Sequence, residues 1–527
     1  MVSPFAVRFW RPAVSNGVGV VVLPAVGYAY SSSYHAIRVI AEALAERGAL
    51  VARVDYPGTG DSSGETSGIG DFAGWRSAVK GAVGWLRELG AAKIVLLGLE
   101  LGATLALTEC AGVGASAAVA IHPVWSGHRF VRRQRLLGLD VPGAPGAIAS
   151  AGSYFSAGLV ADIDAIRLSS LDLVGQTPLL IIDLPDNPDA APADGGARAD
   201  IWHTGSLAEF LERPAEEAVA DPELAARIAR WVCDAASPQP GGTLARPLHR
   251  QAEVAPRIVE EFVTVGPDRL AGVLTRSASA RPFTGRTLVL LNSGSDPHIG
   301  PGRAWVELAR TLVRRGWSTL RVDWTGWGDS ACGACAPGRP YDESSRRQTR
   351  RLASGLRAAG ADTVVLAGLC AGAWVALDAA REPGGVDGVV ALNPQLYWRQ
   401  GDPVEALLAN TRIRRRDEIA FIKEAKAAGR WDREDMWGLR PPAAVWLEEL
   451  AERGTHVSLV FAEGDDGLEY LEDRMARRLK SLLATSAVRV REVPEIDHGM
   501  HRTWLRERMF ATIAEELDTI RSHARAS

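Results

Sequence analysis

The chain has 527 residues, 47% of them hydrophobic and 23% charged, with a formal net charge of −4. A single core rarely grows beyond about 250–300 residues, so two domains are expected. Mixed, nearly balanced charge carries no footprint of nucleic acid or an anionic membrane, and five cysteines are too few for a disulfide framework.

The N-terminal MVSPFAVRFWRPAV has no charged region leading into a long apolar run, so no secretion signal is expected. No stretch reaches 18 apolar residues. A cytoplasmic enzyme of small molecules or carried acyl groups is the simplest expectation.

In chain order, VGVVVLP (18–24) has strand length, and AIRVIAEALAERG (36–48) reads as a helix stopping at Gly48. LVARVDY follows as a strand to Asp55, and PGTGDS (57–62) as a glycine turn. KIVLLGLELGA (93–103) is a buried strand entering a tight turn, and TPLLIIDLPDNP (177–188) a later strand. The segment 237–248 is rich in Pro and Gly, which places a linker at 237–250 between domains 1–236 and 251–527.

The second half repeats the first. RIVEEFVTVGPDRLAGVLTR (257–276) reads as a hairpin about GPD. TLVLLN (287–292) is a strand, AWVELARTLVRRG (304–316) a helix, TLRVDW a strand ending at Trp324, and TGWGDS (325–330) the turn. TVVLAGLCAGA (363–373) matches 93–103. Strands alternating with helices predict two tandem α/β domains, each a mostly parallel sheet flanked by helices. Asp61 and Asp329 read as turn-stabilising residues bonded to backbone.

Gly368-Leu369-Cys370-Ala371-Gly372 fits a nucleophile elbow with Cys at its centre. Such a turn lifts the central side chain above the sheet edge. It also aims the positive end of the next helix at it, which favours a thiolate and an oxyanion. The Ala371 N–H is one expected oxyanion donor; the other lies in Asn292-Ser293-Gly294-Ser295, at Ser293 or Gly294.

A thiol needs a base, and the base an orienter. Asp465, after the glycine ending HVSLVFAEG, is the favoured acid, with Asp466 as alternative. His498, in the loop after VRVREV, is the favoured base, with His501 as alternative. His298, Arg303 and Asn393 are candidate pocket residues. Cys332 and Cys335 form a C-x-x-C without a second ligand pair at zinc spacing, so they read as loop thiols. No metal, phosphate loop or dinucleotide fingerprint is found, and no cofactor is expected.

The second half resembles the α/β-hydrolase superfamily, of the serine-aminopeptidase-like and thioesterase/acyltransferase type. The resemblance rests on Asp323 to Ser330, the elbow at 368–372, Gly464-Asp465 and Asp497-His498, and spans about 270 residues. It implies the order nucleophile, acid, histidine. Cys departs from the usual Ser, though dienelactone hydrolases and polyhydroxyalkanoate synthases also use Cys. Between VVALNPQLYW (389–398) and the next strand, charge- and Trp-rich helical segments predict a lid over about 399–455.

In the first half Glu100 occupies the elbow, within Gly98-Leu99-Glu100-Leu101-Gly102. Asp183 or Asp186 is the candidate acid. His203 is the nearest histidine, although Gly205-Ser206 lie closer to where a base belongs. This half reads as a degenerate, inactive copy, or as one using a carboxylate as nucleophile or acid.

Cys chemistry suits acyl groups delivered as thioesters of coenzyme A or a carrier protein. The expectation is an acyltransferase or cyclase acting on a small-molecule acceptor. Hydrolysis by the same triad is the alternative, and an inactive tandem binding or scaffold protein a third reading.

Overall fold

A computed structural model describes residues 5–64, 72–169, 177–187, 199–238 except 216, 248–330 except 295, 343–394 and 442–524. The chain forms two compact units, Met1–Pro256 and Arg257–Ser527. Most of the expected linker, 239–247, and the thiols Cys332 and Cys335 lie outside the described residues.

The first unit is built on strands β1 (Val7–Trp10), β2 (Val18–Leu23), β3 (Leu50–Val54), β4 (Lys93–Leu99) and β5 (Ala117–Ile121). A small antiparallel sheet of β6 (Leu139–Asp140), β7 (Ile148–Ser150) and β8 (Ser153–Phe155) follows. Strands β9 (Leu179–Asp183) and β10 (Ala199–His203) complete the main sheet, whose order is β1-β3-β2-β4-β5-β9-β10. Only β1 runs antiparallel to its neighbour.

The second sheet contains β11 (Gln251–Ala255), β12 (Ile258–Val265), β13 (Leu270–Ser277), β14 (Gly285–Leu290) and β15 (Ser318–Val322). It continues with β16 (Ala361–Leu369), β17 (Gly388–Leu392), β18 (His456–Ala462) and β19 (Val488–Val493). Its order is β11-β12-β13-β15-β14-β16-β17-β18-β19, so its parallel run β15-β14-β16-β17-β18-β19 repeats β3-β2-β4-β5-β9-β10. Both units are thus α/β, with parallel sheets flanked by helices.

The apolar strands are buried on both faces, as crossover helices require. In β16, Val364 and Leu366 join one core while Val365, Ala367 and Leu369 join the opposite one. In β4, Ile94 and Leu96 face one core and Val95, Leu97 and Leu99 the other. Each buried Val or Leu side chain contributes about 1.5–3 kcal/mol, so the strands carrying the functional loops are also the best anchored parts of the chain.

One expectation needs correction. The first helix is Tyr28–Glu46, eight residues longer at its start than the periodic stretch from Ala36. Its opening turns, YAYSSSY, carry no apolar period, yet Ala29, Tyr30, Ser32 and Ser33 are buried. The expected lid falls largely on 395–441, outside the described residues. Its last helix, Pro442–Glu452, buries Trp446, Leu447 and Leu450 in the core, with Trp446 edge-on to Trp374 at 5.1 Å between ring centroids.

Candidate active site

The elbow in the second unit is a matter of backbone room. Cys370 sits between β16 and the helix Ala371–Ala380 with φ 56° and ψ −113°, a conformation costing about 1–3 kcal/mol for a non-glycine residue. A Cβ on Gly368 would lie 2.3 Å from the Gly372 carbonyl carbon, and one on Gly372 would lie 2.3 Å from the Asn292 oxygen. The turn closes only with glycine at both places. The Cys370 N–H donates to the Leu392 carbonyl at 2.9 Å, tying the elbow to the end of β17.

Because Asn292 packs against Gly372, the loop carrying Ser293 and Gly294 begins beside the first turn of the elbow helix. Ala371 opens that helix, where an N–H has no intrahelical acceptor. The loop is held by Asp323, a fully buried carboxylate at the end of β15. It accepts from Asn292 Nδ2 (2.8 Å), the His298 N–H (2.7 Å) and the Asp329 N–H (2.8 Å), and its Oδ2 lies 2.6 Å from His298 Nδ1. In the first unit Asp55 takes the matching bond from the Asp61 N–H at 3.0 Å. The side chains of Asp323 and Asp55 thus help to organise these turns. Ligand-type atoms of His298, Asp323 and Asp329 lie within 4.8 Å of one another, but the oxygens of Asp323 are already committed within the turn.

The histidine arrives on the loop after β19. His498 Nδ1 lies 2.5 Å from Asp465 Oδ2, and Asp465 Oδ1 accepts the Gly467 N–H at 2.8 Å, capping the helix Asp466–Ala484. On its other side His498 is hydrogen-bonded to Cys370. Burial pulls the imidazole down, but the bonds to Asp465 and Cys370, with their charges, outweigh it and push His498 up to about 10. Cys370, His498 and Asp465 thus form one chain of contacts.

The alternatives lie elsewhere. Asp466 opens the helix that Asp465 caps. His501 is half-exposed and its Nδ1 lies 2.8 Å from Asp497 Oδ2. Asp497 also accepts the N–H groups of His501 and Arg502, both at 2.9 Å, and so shapes the loop carrying His498. Burial alone would raise the Asp497 carboxyl; the bonds from His501 and Arg502 hold it well below the usual carboxylate range.

The three candidate pocket residues are buried and bonded within the fold. His298 is 1% exposed and bound to Asp323. Arg303 is 4% exposed among Glu307, Arg310, Glu260 and Arg321, its burial pulling the guanidinium down to about 10. Asn393, at φ 43° and fully buried, donates from Nδ2 to the His498 carbonyl (2.8 Å) and accepts the Ala462 N–H (2.7 Å). It clasps the histidine loop to the ends of β17 and β18. Sequence reading missed this positioning role, as it missed Asp323 and Asp497. Asp323 had a signal: an Asp ends the strand before the glycine turn in both halves.

In the first unit Glu100 has φ 50° and ψ −116°, and its N–H donates to Ile121 O at 3.0 Å, as at Cys370. Its Oε1 accepts from Arg133 at 2.5 Å. His122 holds the place of Asn393, its N–H donating to Ile182 O as that of Asn393 donates to Val460 O. Register then sets Asn187 opposite Asp465, five residues past Ile182 and Val460 respectively. Asp183 is buried and bound by His122 Nδ1 (2.7 Å) and Asn187, whose bonds hold its carboxyl low against the upward pull of burial. Asp186 and His203 are exposed.

A parallel sheet, a strained elbow after its central strand and a histidine on the last loop are the arrangement of the α/β-hydrolase fold. Residues 288–517 match the model of the Alpha/beta hydrolase family. Among solved structures, the chain is similar to Est1E from Butyrivibrio proteoclasticus, with 17% identity over 44% of this chain and 95% of that one, TM-score 0.35. It is also similar to the brefeldin A esterase, a bacterial homologue of human hormone-sensitive lipase (18%, 54% and 81%, TM-score 0.34). A third is the dienelactone hydrolase from Anabaena variabilis (13%, 51% and 99%, TM-score 0.31). No curated protein matches the chain. No helix among the described residues is long and apolar enough to cross a membrane.

Proposed function

We propose that the second unit is an acyl-transfer enzyme that forms an acyl-Cys370 intermediate, with His498 as acid–base and Asp465 as its orienter. The observation that carries this reading is the bridging position of His498, bonded to Asp465 and Cys370 and raised to about 10. An imidazolium beside a sulfur favours the thiolate, the attacking form. The Cys370 sulfur attacks the carbonyl of an acyl thioester on coenzyme A or a carrier protein. The developing oxyanion lies toward the N–H groups of Ala371 and the Ser293-Gly294 loop. As the carbon–sulfur bond breaks, His498 gives its proton to the departing thiol. It then takes a proton from the acceptor, an alcohol or amine on a small molecule or on the acyl chain itself, as that oxygen or nitrogen attacks the carbonyl of acyl-Cys370; the carbon–sulfur bond breaks, Cys370 leaves as the thiolate, and an ester, amide or ring is released.

Hydrolysis is the second reading, with water as acceptor. The His498 side chain is 38% exposed, which favours access of water to the imidazole. A scaffold role for the whole chain predicts a base out of reach of the thiol, and the contacts of His498 weigh against it. Cys110, Cys233 and Cys370 are free thiols, in keeping with a cytoplasmic enzyme.

The test is intact-protein mass spectrometry after incubation with a panel of acyl thioesters. Wild type is expected to gain the acyl mass on Cys370, and Cys370→Ala to gain none. The lifetime of the adduct in water, against added alcohols and amines, separates transferase from hydrolase. An equal mass gain in the Cys370→Ala protein would remove Cys370 as nucleophile.

A further inference from the structure

The helix Gly127–Leu137 of the first unit turns Gly127, Phe130, Val131 and Gln134 to the core. The rest of it carries Arg129, Arg132, Arg133 and Arg135 and no carboxylate, and it ends in Leu136-Leu137, with Leu139 following in β6. Leu136 is 78% exposed, Leu137 66% and Leu139 48%. Among the described residues the other exposed large hydrophobics stand singly along the chain. We propose that this tip, leucines backed by arginines, docks the first unit on an anionic lipid surface.

The charge is complementary to such a surface and is available to it. Arg133 bonds Glu100 at 2.5 Å, but Arg132 and Arg135 are exposed and meet no partner among the described residues. Asp140, exposed beside Leu139, is the single acid between residues 127 and 145. Over the whole chain 59 Lys and Arg nearly balance 63 Asp and Glu, so composition gives no sign of this local excess.

The geometry favours lipid over a protein face. Successive helix residues point about 100° apart, so Leu136 and Leu137 splay into a convex knob. A fluid acyl layer closes around such a knob, whereas a flat protein face covers only one of the two leucines. Arg132 lies one turn before Leu136 on the same face, about 6 Å back along the axis. With the leucines among the acyl chains, its guanidinium stands at the level of the phosphates, because interfacial helices bury their apolar side by about 5–10 Å. Arg135 reaches the same layer by its long stem. The mount is firm. A Cβ on Gly138 would lie 2.5 Å from the Ala149 oxygen and 2.8 Å from the Gln134 oxygen, so the helix turns into β6 at glycine, and Leu139 pairs with Ala149 in the small sheet.

The experiment sediments the full-length protein with vesicles of phosphatidylcholine alone, or of phosphatidylcholine and phosphatidylglycerol at three parts to one. Wild type is expected to partition onto the mixed vesicles about tenfold more strongly than onto the neutral ones, and to be released by high salt. Leu136→Ser with Leu137→Ser is expected to lower that partition by about tenfold, the scale of one leucine withdrawn from an apolar layer. Arg132→Gln with Arg135→Gln is expected to lower it by about tenfold on the mixed vesicles and to leave the neutral ones unchanged. All four side chains are exposed, circular dichroism checks the fold of each variant, and either pair tests the tip should the other unfold. Four results overturn the proposal: no sedimentation of wild type with the mixed vesicles; sedimentation that neither pair alters, which places the contact elsewhere on the chain; equal sedimentation with both kinds of vesicle; or a concentration-dependent dimer, seen by analytical ultracentrifugation, that the leucine pair abolishes, which gives the tip to a second copy of the chain.

Discussion

His498 is held between a carboxyl and a sulfur, and its acid–base behaviour follows from both. An unfolded histidine titrates near 6.5, and here the folded value is about 10. With the folded value raised, the pair's contribution to stability is complete below about pH 6.5 and is lost as pH rises through about 10. The ring is 38% exposed, so solvent screens that contribution. The chemical consequence is larger: across neutral pH the proton needed by a leaving thiolate already sits on the imidazole. NMR of the His498 ring is expected to show a midpoint near 10 in wild type, lowered in both Cys370→Ala and Asp465→Asn, because each removes a bond and a charge that hold the proton. A wild-type midpoint near 6.5 would mean that the three side chains do not work as a unit.

At the scale of elements, the site is an assembly of strand ends, and Asn393 is what joins three of them. It closes β17, donates to the His498 carbonyl beyond β19, and accepts from Ala462 at the end of β18. Asparagine tolerates its φ of 43°. Asn393→Ala strands a part-buried carbonyl and a buried N–H, and the buried one costs about 1–3 kcal/mol. The thermal midpoint should fall accordingly, and alkylation of Cys370 by iodoacetamide at pH 7 should slow even well below that midpoint. Unchanged stability and alkylation would reduce Asn393 to a bystander. The same residue shows what the sequence could and could not reveal. Runs such as TVVLAGL and TLVLL carry their period within a few residues, so strands, elbow and the order of Cys370, Asp465 and His498 were legible. The clasp Asn393–His498 joins residues 105 apart, and Asp323 reaches His298 across 25; no local period marks either. Likewise the start of the Tyr28–Glu46 helix is polar, and tertiary burial rather than pattern extends it.

At the scale of the whole molecule, one architecture is used twice with different chemistry on it. Glu100 and Cys370 share an elbow conformation within a few degrees, φ 50° and 56°, ψ −116° and −113°. What separates the units is the support around that turn. Asn187 stands where Asp465 does, His122 replaces Asn393, and Asp183 is bound by both of them. The first histidine after Asn187, His203, closes β10 and is exposed. A nucleophile without a base in the place His498 holds loses most of its reactivity, because a triad acts as a unit and its losses do not add. Restoring the thiol alone therefore should not restore the chemistry. In Cys370→Ala protein, Glu100→Cys is expected to give no acyl adduct at position 100 with thioesters that label Cys370 in wild type. Peptide mapping of the acylated protein reads the outcome directly. An adduct at position 100 formed at the wild-type rate would show that the elbow and its helix end suffice, and would take the weight of the mechanism off His498 and Asp465.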